Sequence, residues 1–169
     1  TLKRLSKRDA TTRLKALREL HATVAEHGGE DAVTRLIIAL PQWCYCYQKL
    51  AFDSAVQVCQ LAHQLMGAIA GKVKQEIEPH VKAVIGRWWM AQFDPRTDVA
   101  GAASAALQAT FPGRRIVRVL RLCRQPVLGE LDEAIRSSPQ TVMKNQMVDD
   151  VEIAKDMHKF STWPEWRAE

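Results

Sequence analysis

An all-α fold built of stacked helix pairs is predicted by three observations. Apolar residues recur at helical spacing through most of the 169 residues. No segment alternates apolar and polar side chains for more than a few residues, and Val, Ile and Thr are not gathered between turn signals as strands require. Asp9, Asp53 and Asp98 each stand where a helix begins, 44 and 45 residues apart. A period of about 40–47 residues is that of HEAT-type repeats. One helix pair cannot bury its own apolar stripe, so pairs stack into a solenoid. The expected architecture is a HEAT/ARM-like helical-repeat solenoid of about three helix pairs plus capping helices; a non-repetitive bundle would leave the spacing unexplained.

The elements follow in order. Residues 1–8 form a basic lead-in, extended or briefly helical. Residues 10–27 place Leu14, Leu17, Leu20 and Val24 on one helix face, with Asp9 or Thr11 as the cap and Gly28-Gly29 as the end. A second helix over 32–50 carries Val33, Leu36, Ile37, Leu40, Trp43, Tyr47 and Leu50. Pro41 lies inside it, and a proline there predicts a kink or a break. A third helix over 53–72, capped by Asp53, presents Val58, Leu61, Leu65 and Ile69. A fourth starts near Pro79, carries Val81, Val84, Ile85, Trp88 and Trp89, and ends at Asp94-Pro95. An alanine-rich fifth runs from Asp98 to before Phe111-Pro112, a sixth over 113–124 and a seventh over 127–136. These repeats fill residues 9–136. Residues 137–169 hold a loop and a last helix over 147–160 that continues or caps the solenoid.

Apolar residues at 47% and charged residues at 25% describe a folded globular chain. No run approaches the roughly 18 apolar residues of a membrane span, and no secretory leader is visible. The chain opens on Thr1 rather than Met, as a piece of a longer protein does. The net charge of +5 is unevenly placed. Residues 1–20 carry +5, residues 21–110 carry −1, residues 111–125 carry +5 with no acid, and residues 126–169 carry −4. Two basic segments raise the expectation of an RNA, phosphate or acidic-protein partner.

On a helical wheel of about 100° per residue, Arg114, Arg118 and Arg121 fall within roughly 60° of one another. Arg115 lies beside them, and Ile116, Val119, Leu120 and Cys123 lie on the opposite face. Phosphates or acidic side chains could dock on that arginine face; acids of the tail such as Glu130 and Asp132 could equally answer it. The lead-in, with Lys3, Arg4, Lys7 and Arg8, sits at the solenoid's end, where point charges give salt-sensitive affinity without base specificity. No aromatic RNA-binding motif or zinc finger accompanies it.

Four cysteines (Cys44, Cys46, Cys59 and Cys123) read as packed thiols of a reducing compartment. Cys44 and Cys46 point to opposite helix faces, and Cys59 with His63 is half a zinc site at best. No phosphate-binding, dinucleotide, nucleophile-elbow or metalloprotease motif is present. Trp43, Trp88 and Trp89 read mostly as core. Trp88 and Trp89 point about 100° apart, so one faces a groove or interface. Trp163 and Trp166 flank Pro164 near the chain's end.

The stretch from Leu5 to Leu17, Leu-Ser-Lys-Arg-Asp-Ala-Thr-Thr-Arg-Leu-Lys-Ala-Leu, resembles the opening of the listerin family of ubiquitin ligases. Pro41, Trp43, Tyr47, Lys49, Leu50 and Asp53 resemble its next segment. Gly86, Trp88, Met90, Ala91 and Asp94 resemble a later one, and Ala102, Ala103, Ala106, Phe111 and Pro112 the one after. Ser138 to Val142 is similar to a late loop, after which the likeness fades. Around residues 56–59, where the family tends to carry arginines, this sequence has none.

That resemblance implies a long HEAT-type solenoid whose zinc-binding RING domain lies at the far C-terminus, outside this chain. It implies ubiquitination of nascent chains trapped on large ribosomal subunits, in the cytosol. This domain would be the docking end, without catalytic residues, metal ligands or a cofactor of its own, and a monomer. Its partners would be the large ribosomal subunit, through rRNA or ribosomal protein, and a NEMF-type factor that binds peptidyl-tRNA; no membrane is implied. Lys7, Arg8, Thr11, Thr12, Arg13 and Lys15 match the first motif residue by residue and inherit the docking role, with Asp9 as a cap. Lys3 and Arg4 join them through the lead-in's charge, and Arg114, Arg118 and Arg121 form a second candidate face. Two other readings stand beside this one. A generic HEAT-type adaptor would bind an acidic protein or peptide in a groove near Trp89, and a metal or thiol enzyme would need the ligand spacing that the sequence lacks.

Overall fold

The computed structural model describes residues 2–26 and 28–136. The predicted helix over 147–160, the loop before it, and Trp163 and Trp166 lie outside the described residues. Among the described residues there are seven α-helices and three short 3-10 turns, and no strand. The helices are α1 (Ala10–Glu26), α2 (Glu30–Leu50), α3 (Val56–Val73), α4 (Glu78–Met90), α5 (Thr97–Thr110), α6 (Arg115–Leu122) and α7 (Arg124–Arg136). The 3-10 turns are Leu2–Ser6, Lys74–Ile77 and Ala91–Phe93.

The chain is a two-layered helical solenoid. In one layer α3 lies between α1 and α5; in the other α4 lies between α2 and α7. The layers are staggered, because α2 packs on α3 and α4 packs on α5. Each second helix therefore supports the first helix of the next pair, which carries one core through the whole stack. The predicted stripes fill that core: Leu17, Val24, Leu40, Trp43, Tyr47, Leu50, Val58, Leu65, Ile69, Val84, Ile85 and Trp88 are all buried.

An aromatic spine threads the core across the pairs. Trp43, Tyr47, Trp88 and Phe111 stand in sequence with ring centroids 6.1 Å apart at each step. Tyr47 meets His63 edge-on, and its hydroxyl lies 2.8 Å from His63 Nδ1. The Trp88 indole donates to Ala103 O at 3.3 Å. Trp43 Nε1 and His63 Nε2 are buried with no hydrogen-bond partner among the described residues. Trp88 is fully buried, whereas Trp89 is half-buried at the edge of the core and packs edge-on against exposed Phe93.

Three details of the predicted order are corrected. First, of the kink or break expected at Pro41, the break does not occur, since α2 runs on through the proline. The proline occupies an exposed position, while Leu40 and Trp43 on either side are buried, so their packing holds the helix across the missing hydrogen bond. Second, the aspartates of the repeat are Asp53 and Asp94, not Asp98. Helix α3 begins at Val56 and α5 at Thr97, three residues after each. Asp53 Oδ1 accepts the Ala55 N–H at 2.9 Å, and Asp94 Oδ1 accepts the Arg96 N–H at 2.8 Å. Asp98 lies in the first turn of α5, where a carboxylate suits the helix dipole. Third, the last second-layer position belongs to α7, because α6 has only eight residues and none of them is buried.

Two glycines allow the closest approaches. A Cβ on Gly67 would lie 2.8 Å from Ala106 Cβ where α3 crosses α5. A Cβ on Gly86 would lie 2.6 Å from Glu130 Cγ and 3.0 Å from Pro126 O where α4 meets α7. Gly67→Ala gains up to about 1 kcal/mol of helix propensity but overpacks the contact by about 1–3 kcal/mol. We expect a net loss of stability in urea denaturation, recovered when Ala106→Gly is added to the same chain.

Burial lowers the His63 pKa from 6.5 to about 4. The folded state therefore holds a neutral imidazole, whereas the unfolded chain takes up a proton below pH 6.5. The contribution is fully present above pH 6.5 and is lost as the pH falls toward 4, by about 3 kcal/mol in all. Denaturation midpoints measured from pH 7 to 4.5 should fall for the native chain and fall less steeply between pH 6.5 and 5 for His63→Leu.

Candidate functional site

The lead-in is held against the solenoid. Leu5 is buried beneath the Leu2–Ser6 turn, which packs on α1 and α2. This leaves Lys3 exposed and brings Arg4 to Glu19, with Nη1 to Oε2 at 2.7 Å. Asp9 caps α1 as the sequence indicates. Its Oδ2 accepts the Thr12 N–H at 2.7 Å and the Thr12 hydroxyl at 2.6 Å, and its Oδ1 accepts the Thr11 N–H at 3.3 Å. The Thr12 hydroxyl and N–H hold the Asp9 carboxyl below the usual carboxylate range.

Arg13 is placed differently from its neighbours. Its Nε and Nη2 donate to Asp53 Oδ2 and Oδ1 at 2.7 and 2.8 Å, a bidentate pair. Its Nη1 donates to the carbonyls of Lys7 and Arg8 at 2.7 and 2.6 Å. Arg13 is 13% exposed and Asp53 8%, so this guanidinium is spent inside the protein and positions the Lys7–Arg8 segment rather than reaching outward. Thr12 is likewise engaged with Asp9.

The network continues along the helix starts. Arg96 grips Asp94 through Nε to Oδ1 at 2.8 Å and Nη2 to Oδ2 at 2.7 Å. Its Nη1 donates to Asp53 O at 3.0 Å. Arg96 holds the Asp94 carboxyl below its ordinary pKa. The Cys59 thiol donates to the same Asp53 carbonyl at 3.0 Å, and burial pushes its pKa up to about 11. Burial likewise raises Cys44 to about 12 and Cys46 to about 11, so these thiols stay protonated core groups. Among the described residues no cluster of His, Cys, Asp and Glu could hold a metal ion.

What remains outward is a polar and basic stripe. Thr11, Lys15 and Arg18 are exposed on one face of α1, with exposed Lys7 and Arg8 before its start. Arg18 was not among the sequence candidates; its spacing of three from Lys15 and seven from Thr11 is the signal that places it there. Arg114, Arg118 and Arg121 share the outer face of α6 near the last helix pair, far along the chain from this stripe. The nearby acids of the tail are taken elsewhere: Glu130 by Arg87 at 3.1 Å and Asp132 by Arg136 at 2.8 Å.

Breaking the Arg13–Asp53 pair strands a largely buried charge. Arg13→Gln or Asp53→Asn should each cost about 3 kcal/mol in chemical denaturation. The double substitution should cost less than the sum, and limited trypsin digestion after Lys7 and Arg8 should quicken in each single variant.

Comparisons with known proteins show the family. The family described as "E3 ubiquitin-protein ligase listerin, N-terminal domain" matches residues 1–162, beyond Val142 where the resemblance first read from the sequence fades. The chain is 32% identical to the E3 ubiquitin-protein ligase listerin of Mus musculus over 162 residues, 95% of this chain and 9% of the relative. It is 32% identical to that of Gallus gallus over 152 residues, 89% of this chain and 8% of the relative. It is 34% identical to that of Neurospora crassa over 103 residues, 61% of this chain and 6% of the relative. No solved structure matches the chain. A helical solenoid opened by the Asp9-capped basic segment, with a family match along nearly its whole length, thus belongs to the listerin N-terminal domain family.

Proposed function

We propose that this domain docks a RING-type E3 ubiquitin ligase on the large ribosomal subunit carrying a stalled nascent chain. The reading rests on the family match, and the observation that carries it is the outward stripe of Lys7, Arg8, Thr11, Lys15 and Arg18. That stripe lies within and beside the segment where the family likeness is sharpest. A row of exposed cations suits rRNA phosphates or acidic ribosomal protein and binds in a salt-sensitive way. Lys3 and Arg4 extend the row onto the lead-in, while Arg13 and Thr12 act by holding it in place.

On this reading the domain performs no ligase chemistry and carries no cofactor; zinc belongs to the distant RING. It acts in the cytosol as a monomer, beside a NEMF-type factor that binds peptidyl-tRNA, and its task is ribosome-associated quality control. Charge reversal of Lys7, Arg8 and Lys15 to Glu should weaken co-sedimentation with large subunits carrying stalled chains by about tenfold or more, with unchanged circular dichroism. Co-sedimentation equal to that of the native chain would overturn the proposal.

A further inference from the structure

Helix α7 ends the second layer with an apolar face left open. Helices α2 and α4, which hold the earlier places in that layer, bury six and five of their residues, whereas no residue of α7 is buried. Leu128, Leu131 and Ile135 are 49%, 39% and 76% exposed. On a wheel of about 100° per residue they fall within roughly 60° of one another. Pro126 and Glu130, which meet α4 at Gly86, lie on the opposite side of α7. Val127, about 40° from Leu131, is half-buried against the core. The open stripe therefore begins at the edge of the core and faces onward along the stack, away from α4. An exposed apolar stripe at helical spacing marks a contact surface.

The order of the stack fixes what belongs there. Helix α2 packs on α3 and α4 packs on α5, so each second-layer helix carries the first-layer helix that follows it in the chain. Among the described residues α7 carries none. Helix α5 is open on its free flank as well: a Cβ on Gly101, about 140° around the helix from the Ala106 contact with α3, would meet nothing within 4 Å.

The next segment of the chain has the pattern of the missing helix. The sequence predicts a helix over 147–160, outside the described residues. Met147, Val151, Ile153, Ala154, Met157 and Phe160 fall on one half of its wheel, and Asp149, Glu152, Lys155, Asp156 and Lys159 on the other. Asp150, on the apolar half, falls in the first turn, where a carboxylate suits the helix dipole. The ten residues 137–146 can reach about 33 Å, against roughly 10 Å along α7 from Ile135 to Leu128. The family match runs to residue 162, so this segment belongs to the same domain as α7.

We propose that residues 147–160 form the first-layer helix after α5 and seat their apolar half on Leu128, Leu131 and Ile135 of α7. The occupant is the chain's own segment, because so short a linker holds it at an effective concentration on the order of millimolar, ahead of a free competitor. Hydrogen exchange of the 169-residue chain, read by mass spectrometry on peptides covering 145–162, tests it. Those amides should exchange at least about tenfold more slowly than in a free peptide of the same sequence. Leu131→Glu with Ile135→Glu should remove most of that protection while α3 and α5 keep theirs, since both side chains are exposed. Met157→Glu, made on the other side of the contact, should do the same. Should the double variant lose protection in α3 as well, Met157→Glu alone decides.

Exchange over 145–162 as fast as in the free peptide would overturn the proposal. So would protection there that survives the α7 double variant and Met157→Glu. Sedimentation of the native chain as a dimer that Leu131→Glu with Ile135→Glu turns into a monomer would give the face to a second copy, and would likewise overturn it.

Discussion

Arg13 and Asp53 are 40 residues apart in the chain, and the bidentate bond between them ties three segments together. It clamps α1 to the turn before α3. Through Nη1 it also gathers the Lys7 and Arg8 carbonyls, so the path of the basic segment is set from beneath. Asp53 in turn passes its own carbonyl to Arg96, which grips Asp94 at the start of the next pair. The result is a polar line along the helix starts, in which each aspartate is satisfied by an arginine and a backbone N–H. Removing one member leaves the others partly buried and unpaired, which is costlier than the bond itself is favourable.

Beneath that line the apolar core obeys a different rule. The spine of Trp43, Tyr47, Trp88 and Phe111 crosses the stack, and no single helix pair contains it. Staggered layers make this possible, because each second helix leans on the first helix of the pair that follows. Such packing leaves little slack. Gly67 and Gly86 are the positions where one helix comes within a methyl group of its neighbour, one in each layer. Arg87 sutures the second layer, donating to Gln48 O on α2 at 2.6 Å and to Glu130 on α7 at 3.1 Å.

The surface separates charge by position. The excess of +5 on residues 1–20 is drawn partly inward through Arg13, Arg4 is paired at the surface with Glu19, and what stays outward forms a stripe on α1. The equal excess on residues 111–125 stays almost wholly outward. The family match covers both segments, in a domain whose relatives are ubiquitin ligases of roughly eleven times its length. The packing of Leu5 and the Arg13 clamp give that outward stripe a rigid base.

Local periodicity was enough to read the all-α class, the apolar stripes, the Asp9 cap and the opposed faces of α6, because each depends on residues within a few turns of one another. Three or four residues of separation settle which side chains share a helix face, whatever lies beyond. The family likeness was legible for the same reason, as it rests on contiguous motifs. Partnerships between distant residues were not legible. Asp53 looked like a helix cap and Arg13 like a surface contact; tertiary packing gave each to the other. Asp98 had the better spacing, but Asp94 was the residue that Arg96 could reach. The acids near α6 in sequence were claimed by Arg87 and Arg136, and α7, not α6, found room against Gly86. Sequence alone determined which face of each helix turns inward, since that is a local matter of side-chain period. Only the tertiary structure decided which charges remain outside, because an arginine beside a carboxylate 40 residues away is no longer available to a partner.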